Sequence, residues 1–283
     1  VEEIRTLIEG RDKQRPNFMY AAFQAPHLPN EAPQETIDKY AYLLNNHPSP
    51  ARHIHAAMVD ELDQAIGIVL SIYKEQGMLD NTLVLFMSDN GGLILPGPEE
   101  THTLIQKIGI TVDEWFDRPV PIPGLEFIAS NALDGGSDNT PLLGGKGMAA
   151  EGGVRVPAAI WWPSNLKKRH HTQPMTIADV LPTLLDAIGA SDAIPDDLDG
   201  RSQLEALNGR VSEHPDYAVS GLLSGQAIYR WPWKLIDTES PQLFNILEDP
   251  LEQTDLAATE SERVTRMRER QSAWGFAEDP AVP

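Results

Sequence analysis

The run Leu83-Val84-Leu85-Phe86-Met87-Ser88-Asp89-Asn90-Gly91-Gly92 carries an apolar strand straight into an acid, an amide and two glycines. A buried strand that ends this way delivers oxygen ligands to the carboxyl edge of a sheet, where α/β proteins keep their sites. Gly91 and Gly92 allow the sharp turn that would aim both side chains at one centre. Oxygen-only donors suit a hard divalent cation, Ca²⁺ or Mg²⁺, better than zinc. The same residues are ordinary turn chemistry, because Asp-Asn-Gly favours a tight reversal with no ligand at all. A second candidate is Lys146, which stands between Gly145 and Gly147. A lysine so flanked puts an ammonium where backbone can approach an oxyanion closely. The plain alternative is an exposed surface lysine.

Other polar residues read more simply. His53 and His55 straddle a helix start, and an i, i+2 pair does not share a helix face, so joint metal ligation is not expected. His170 and His171 belong to the basic stretch Lys167-Lys-Arg-His-His, read as a solvated loop. His102 falls in a long connection between residues 93 and 138. Glu151 and Arg155 read as a structural charge pair, and Trp161, Trp162, Trp231 and Trp233 as packing residues.

Residues 139–157 read Asn-Thr-Pro-Leu-Leu-Gly-Gly-Lys-Gly-Met-Ala-Ala-Glu-Gly-Gly-Val-Arg-Val-Pro, and this segment resembles a signature of the sulfatases, within the alkaline phosphatase superfamily. Ser88-Asp89-Asn90-Gly91-Gly92 resembles the metal-ligand turn of that family, and Ala25-Pro26-His27-Leu28-Pro29 its substrate-histidine loop. The resemblance runs on through His53-Ile-His55-Ala-Ala-Met-Val-Asp60-Glu-Leu-Asp63, Ile177-Ala-Asp179-Val-Leu-Pro-Thr-Leu, Trp233-Lys234-Leu235 and Gln242-Leu-Phe244 to Asp249-Pro250-Leu-Glu252. It implies that Asp89 and Asn90 hold a divalent metal, Ca²⁺ first, with Mg²⁺ or a transition metal as alternatives. It implies that Lys146 binds the sulfate oxygens and that His27 contacts the sulfate or assists the leaving group.

The family's Cys-or-Ser-x-Pro-x-Arg motif, whose first residue becomes the formylglycine nucleophile, is not among the 283 residues, and the chain has no cysteine. Ser49-Pro50-Ala51-Arg52 has its proline one place early and follows the His27 loop rather than preceding it. The family's amino-terminal Asp-Asp pair of metal ligands is also missing. The resemblance therefore implies a chain that begins inside a sulfatase. Two ligands are few for Ca²⁺, which takes 6–8 oxygens. Three functions follow as expectations. The first is a metal-dependent sulfate or phosphate ester hydrolase of the sulfatase family. The second is a stand-alone phosphoesterase, of phosphotriester type, using metal-activated water. The third is an inactive fragment or binding module.

Strand and helix signals alternate up to about residue 212. The expected fold is α/β, a mostly parallel sheet flanked by helices, of alkaline phosphatase/sulfatase type with an amino-terminal truncation. Strands are expected over 17–24, 82–88 and 157–162, and helices over 1–14, 35–45, 50–76 and 176–189, with Gly77 as a carboxyl cap. Residues 93–138 form a long insertion. Residues 213–283 read as a small antiparallel α+β subdomain, with strands over 217–221, 226–231, 233–237 and 242–245 and a helix over 260–274. Apolar content of 41% supports a buried core. A formal charge of -20, from 42 acids and 22 bases, disfavours nucleic acid as a partner. No apolar run reaches the ~18 residues of a membrane span, and no signal peptide is visible. Family analogy alone suggests a periplasmic or secreted setting. The expected partners are a small anionic or ester substrate and further copies of the chain, in a homodimer or larger assembly, because a sheet without its first strands leaves a face and an edge to cover.

Overall fold

The computed structural model describes residues 1–47, 49–94, 135–210, 216–221 and 225–272. The expected His102, most of the 93–138 insertion and the last residues of the 260–274 helix lie outside them. The chain divides into two compact units, one from Val1–Thr82 with Gly92–Asn139 and the other from Leu83–Gly91 with Thr140–Pro283.

In the first unit, α1 (Glu2–Glu9) and α2 (Gln34–Lys39) each pack on the long α3 (Arg52–Glu75). Ile8 of α1 is buried against Ile72 and Tyr73 of α3, with Ile4, Met19, Val69, Met78 and Leu79 around them. Tyr73 donates its hydroxyl proton to Asn17 Oδ1 at 2.9 Å, which anchors the chain entering 17–24. Helix α3 stops where expected. Gly77 takes φ +67, its N–H bonds the Lys74 carbonyl at 3.0 Å, and the Met78 N–H reaches the Tyr73 carbonyl at 2.9 Å. That pair of bonds is a Schellman ending, which a left-handed glycine permits without steric cost.

In the second unit, β1 (Val84–Met87) pairs antiparallel with β2 (Ala158–Trp161), Val84 opposite Trp161 and Met87 opposite Ala158. The ladder is followed by a bond from the Ser88 N–H to the Pro157 carbonyl at 3.2 Å. Helices α4 (Glu151–Val154), α5 (Val180–Ala187) and α6 (Leu204–Leu207) are short. Strands β3 (Tyr217–Gly221), β4 (Gly225–Arg230), β5 (Trp233–Asp237) and β6 (Gln242–Asn245) form an antiparallel meander in sequence order, followed by α7 (Ser261–Ser272).

Strand alternation gives the meander two apolar faces. Ala227, Tyr229, Ile236, Phe244 and Ile246 cluster with Ala149 on one face. Ile228, Leu235 and Leu243 cluster with Val264 and Met267 of α7 on the other.

The expected parallel sheet is not seen: both sheets among the described residues are antiparallel. A strand is defined by bonds to a neighbour, and residues 17–24 have no ladder partner among the described residues. Their rings stay out, with Phe18 80% and Tyr20 84% exposed. Among the described residues no helix is long and apolar enough to cross a membrane.

Candidate functional site

The Lys146 loop is assembled from backbone that only glycine allows. The Gly91 N–H bonds the Gly153 carbonyl at 2.9 Å, and the Gly152 N–H bonds the Leu143 carbonyl at 2.7 Å. A Cβ at Gly91 would lie 1.8 Å from the Gly152 carbonyl oxygen, and one at Gly152 would lie 2.2 Å from that of Gly144. The Asp89 turn thus stacks on Gly152-Gly153, which stacks on Leu143-Gly144-Gly145, next in sequence to Lys146. Gly144 and Gly147 hold φ of +72 and +85, a region other residues enter at a cost. Lys146 is half-buried, and no carboxylate among the described residues pairs with it.

Beneath the loop lies a polar cluster that the sequence reading did not assign. Glu151, the first residue of α4, is buried. Its Oε1 accepts from Lys234 Nζ at 2.9 Å and from the Tyr229 hydroxyl at 2.7 Å. Lys234 is fully buried in β5 and reaches Glu252 Oε1 at 2.6 Å as well. Glu252 closes the ring by accepting the Glu151 N–H at 2.7 Å through Oε2. Arg155, expected as the partner of Glu151, does approach its Oε2, at 3.7 Å, but from a half-exposed position.

Two carboxylates share one ammonium here. Burial pushes the Glu252 carboxyl up, against the pull of Lys234. Burial, and next the Glu151 charge, raise the phenols of Tyr229 and Tyr217, whose rings stack 4.5 Å apart. Glu252 also sits at φ +53, which costs a non-glycine residue about 1–3 kcal/mol and persists only where its surroundings enforce it. The available sequence signal was Lys234 itself, one charge inside Trp233-Lys-Leu-Ile236 on the face that carries Ile236.

Asp89 is exposed, and its Oδ1 accepts the Asn90 N–H at 3.0 Å. Ser88 Oγ bonds the Asn90 carbonyl at 3.0 Å, which fixes the turn. The side-chain oxygens fit a hard cation in type but fall short in number. Among the described residues no group of three or more His, Cys, Asp or Glu side chains could hold a metal.

His27 belongs to the first unit, whereas Asp89, Asn90 and Lys146 belong to the second. Its N–H bonds the Gln24 carbonyl at 2.8 Å, and its Nδ1 lies 2.9 Å from the Leu28 carbonyl oxygen. A carbonyl only accepts, so Nδ1 is the donor in this contact and Nε2 is the ring nitrogen left over. The exposed imidazole therefore offers Nε2 outward. His55 packs beside Gly136; burial and then the Arg52 charge lower its pKa. His170 and His171 line a depression of about 240 Å³ with Arg169 and Arg210.

The comparisons with known proteins agree on one family. The family model described as Sulfatase matches residues 1–190. The uncharacterized sulfatase YdeN of Escherichia coli (strain K12) is 29% identical over 225 residues, 79% of this chain and 32% of that protein. N-acetylgalactosamine-6-sulfatase of Homo sapiens is 24% identical over 241 residues, 82% of this chain and 38% of the human protein. The crystal structure of Ps i-CgsB in complex with k-i-k-neocarrahexaose superposes with a TM-score of 0.73 at 25% identity, covering 97% of this chain and 53% of that one. The chain thus spans about a third of the length of the curated relatives it matches. With the family model matching well over half of its residues, the chain belongs to the sulfatase family, of alkaline phosphatase-like fold.

Proposed function

We propose that this chain supplies the sulfate-binding lysine and the metal-binding turn of a hydrolase acting on the sulfate ester of a carbohydrate. The observation that carries this reading is Lys146. It is held on a loop closed by glycine contacts against the Asp89 turn, and no carboxylate among the described residues neutralises it. Sulfatase family membership supports the reading, as does the likeness to a protein crystallised with an oligosaccharide. Lys146 binds the sulfate oxygens and screens the charge that grows on them as the ester bond breaks. His27, with Nδ1 tied to the Leu28 carbonyl, leaves Nε2 as the ring nitrogen that would have to carry a proton to assist a leaving group.

Asp89 and Asn90 would hold the divalent cation, Ca²⁺ by preference for oxygen donors, together with ligands beyond the described residues. When bound, the cation supplies Lewis-acid polarisation of the sulfate. The family's nucleophile motif is not among the 283 residues, so the proposal gives this chain binding and charge stabilisation and no bond-making step. The exposed rings of Phe18 and Tyr20 on the unladdered stretch 17–24 support a further part of the reading. In it, a second copy of the chain covers this flank and brings the stretch into a mostly parallel sheet.

Calorimetric titration of Ca²⁺ into the purified chain tests the turn. Asp89→Ala/Asn90→Ala should abolish the binding heat, while His53→Ala should leave it intact. Equal Ca²⁺ affinity in the double variant would remove the turn from the site. Light scattering that finds a stable monomer at micromolar concentration would remove the second copy.

A further inference from the structure

We infer that Lys234, Glu151 and Glu252 form a positioning device that holds the Lys146 loop against the Asp89 turn; this rests on the reading of Lys146 as the sulfate ligand. Gly144, Gly145, Gly147, Gly152 and Gly153 have no side chains with which to interlock, and glycine gives up the most backbone freedom on ordering. Backbone that loose must be fixed from outside.

The fixed point is Glu151. It is held twice by side chain, through Lys234 at 2.9 Å and Tyr229 at 2.7 Å, and once by backbone, through its N–H to Glu252 at 2.7 Å. From Glu151 the bonds pass directly into the site. The next N–H, Gly152, takes the Leu143 carbonyl at 2.7 Å. The carbonyl after it, Gly153, takes the Gly91 N–H of the metal turn at 2.9 Å. The Met148 N–H takes the Gly145 carbonyl at 2.9 Å and so closes the turn that carries Lys146.

A buried ion cluster is a poor source of stability, since apolar side chains of similar volume often do as well or better. What it supplies is direction: ammonium and carboxylate must meet at set distances and angles, where apolar packing tolerates sliding. Here that direction is spent on the residue that starts the double glycine.

The test is residue-resolved amide hydrogen exchange on the purified chain, with inorganic sulfate titrated into the same samples. In Lys234→Met the Gly91, Gly152 and Met148 amides should exchange faster by about tenfold or more, with the β3–β6 ladder amides little changed, as expected of a local opening. Sulfate affinity should fall in parallel. Glu252→Gln, which keeps the shape and removes one charge, should show the same pattern more weakly; it serves alone if Lys234→Met does not fold. Unchanged exchange at Gly91 and Gly152 would overturn the inference, and so would a rise shared equally by the ladder amides, which would mark ordinary core. If the wild-type chain binds no sulfate, the sulfate-ligand reading of Lys146 fails, and the exchange pattern alone then decides whether the cluster positions the loop.

Discussion

The two loops that carry candidate chemistry are built in opposite ways. The Lys146 loop is rich in glycine and takes its shape from a buried charge cluster beneath it. The His27 loop shapes itself: one reverse-turn bond, a ring-to-carbonyl bond to its own neighbour, and prolines on either side. It sits at the end of a stretch whose aromatic rings are exposed. The difference teaches where each loop is vulnerable. Damage far off in the sequence, in β5 or at Glu252, should disturb Lys146, whereas His27 should respond only to changes beside it.

The largest expected effect breaks the first loop's support. Lys234→Met leaves two buried carboxylates without their cation and should cost about 3–5 kcal/mol of the local free energy that keeps the loop closed, read from the exchange of the Gly91 and Gly152 amides. His27→Ala, on an exposed side chain, should stay within about 0.5 kcal/mol. Equal costs at the two positions would erase the contrast between the loops.

Next come the glycines. Gly152→Ala would place a methyl 2.2 Å from the Gly144 carbonyl oxygen and 2.6 Å from that of Leu143, and should cost about 1–3 kcal/mol through forced backbone shifts. Gly67→Ala lies inside α3 with nothing within 4 Å of the new methyl, and should gain about 0.5–1 kcal/mol from helix propensity. Thermal unfolding of the pair gives the sign of each.

The smallest effect is a pH slope. Burial raises the Glu252 carboxyl in the folded chain, so the folded state binds this proton more tightly than the unfolded state does. Its contribution to stability is therefore present below the ordinary carboxylate range and is lost as pH rises toward the raised value. Lys234, Glu151 and Tyr229 are the charged and titratable groups that contact it or share its cluster. Glu252→Gln should flatten that descending slope in urea unfolding measured across pH; an unchanged slope would assign it to other groups.

Much of this was legible in the sequence, for identifiable reasons. β3, β5 and β6 fall at the expected 217–221, 233–237 and 242–245, because apolar residues packed on both faces of a short meander leave few alternatives. α3 and its Gly77 ending were legible from helical spacing and a left-handed cap. The expected parallel sheet is not seen among the described residues: the apolar pattern of residues 17–24 marks a chain able to become a strand, but a ladder also needs a neighbour, and pattern alone does not supply one.

The tight turns at Asp89 and around Lys146 were legible as turns, because glycine and acid types are local signals. The Lys234 cluster was not, because Glu151, Lys234 and Glu252 are far apart in sequence and only the pairing of β5 beside β4, under the α4 turn, brings their charges together. Even so, a lysine on a strand face otherwise given to the core was a visible anomaly.

The central claim is that Lys146 meets sulfate, and inorganic sulfate is the simplest probe of it. Titration of sulfate at fixed ionic strength into the wild-type chain, Lys146→Ala and Lys168→Ala separates the glycine-held lysine from one in the exposed basic stretch. Losing a charge-assisted contact of about 1.5–3 kcal/mol should weaken binding roughly ten- to hundredfold in Lys146→Ala and leave Lys168→Ala at the wild-type value. Sulfate affinity that survives Lys146→Ala, or that falls equally in Lys168→Ala, would contradict the account.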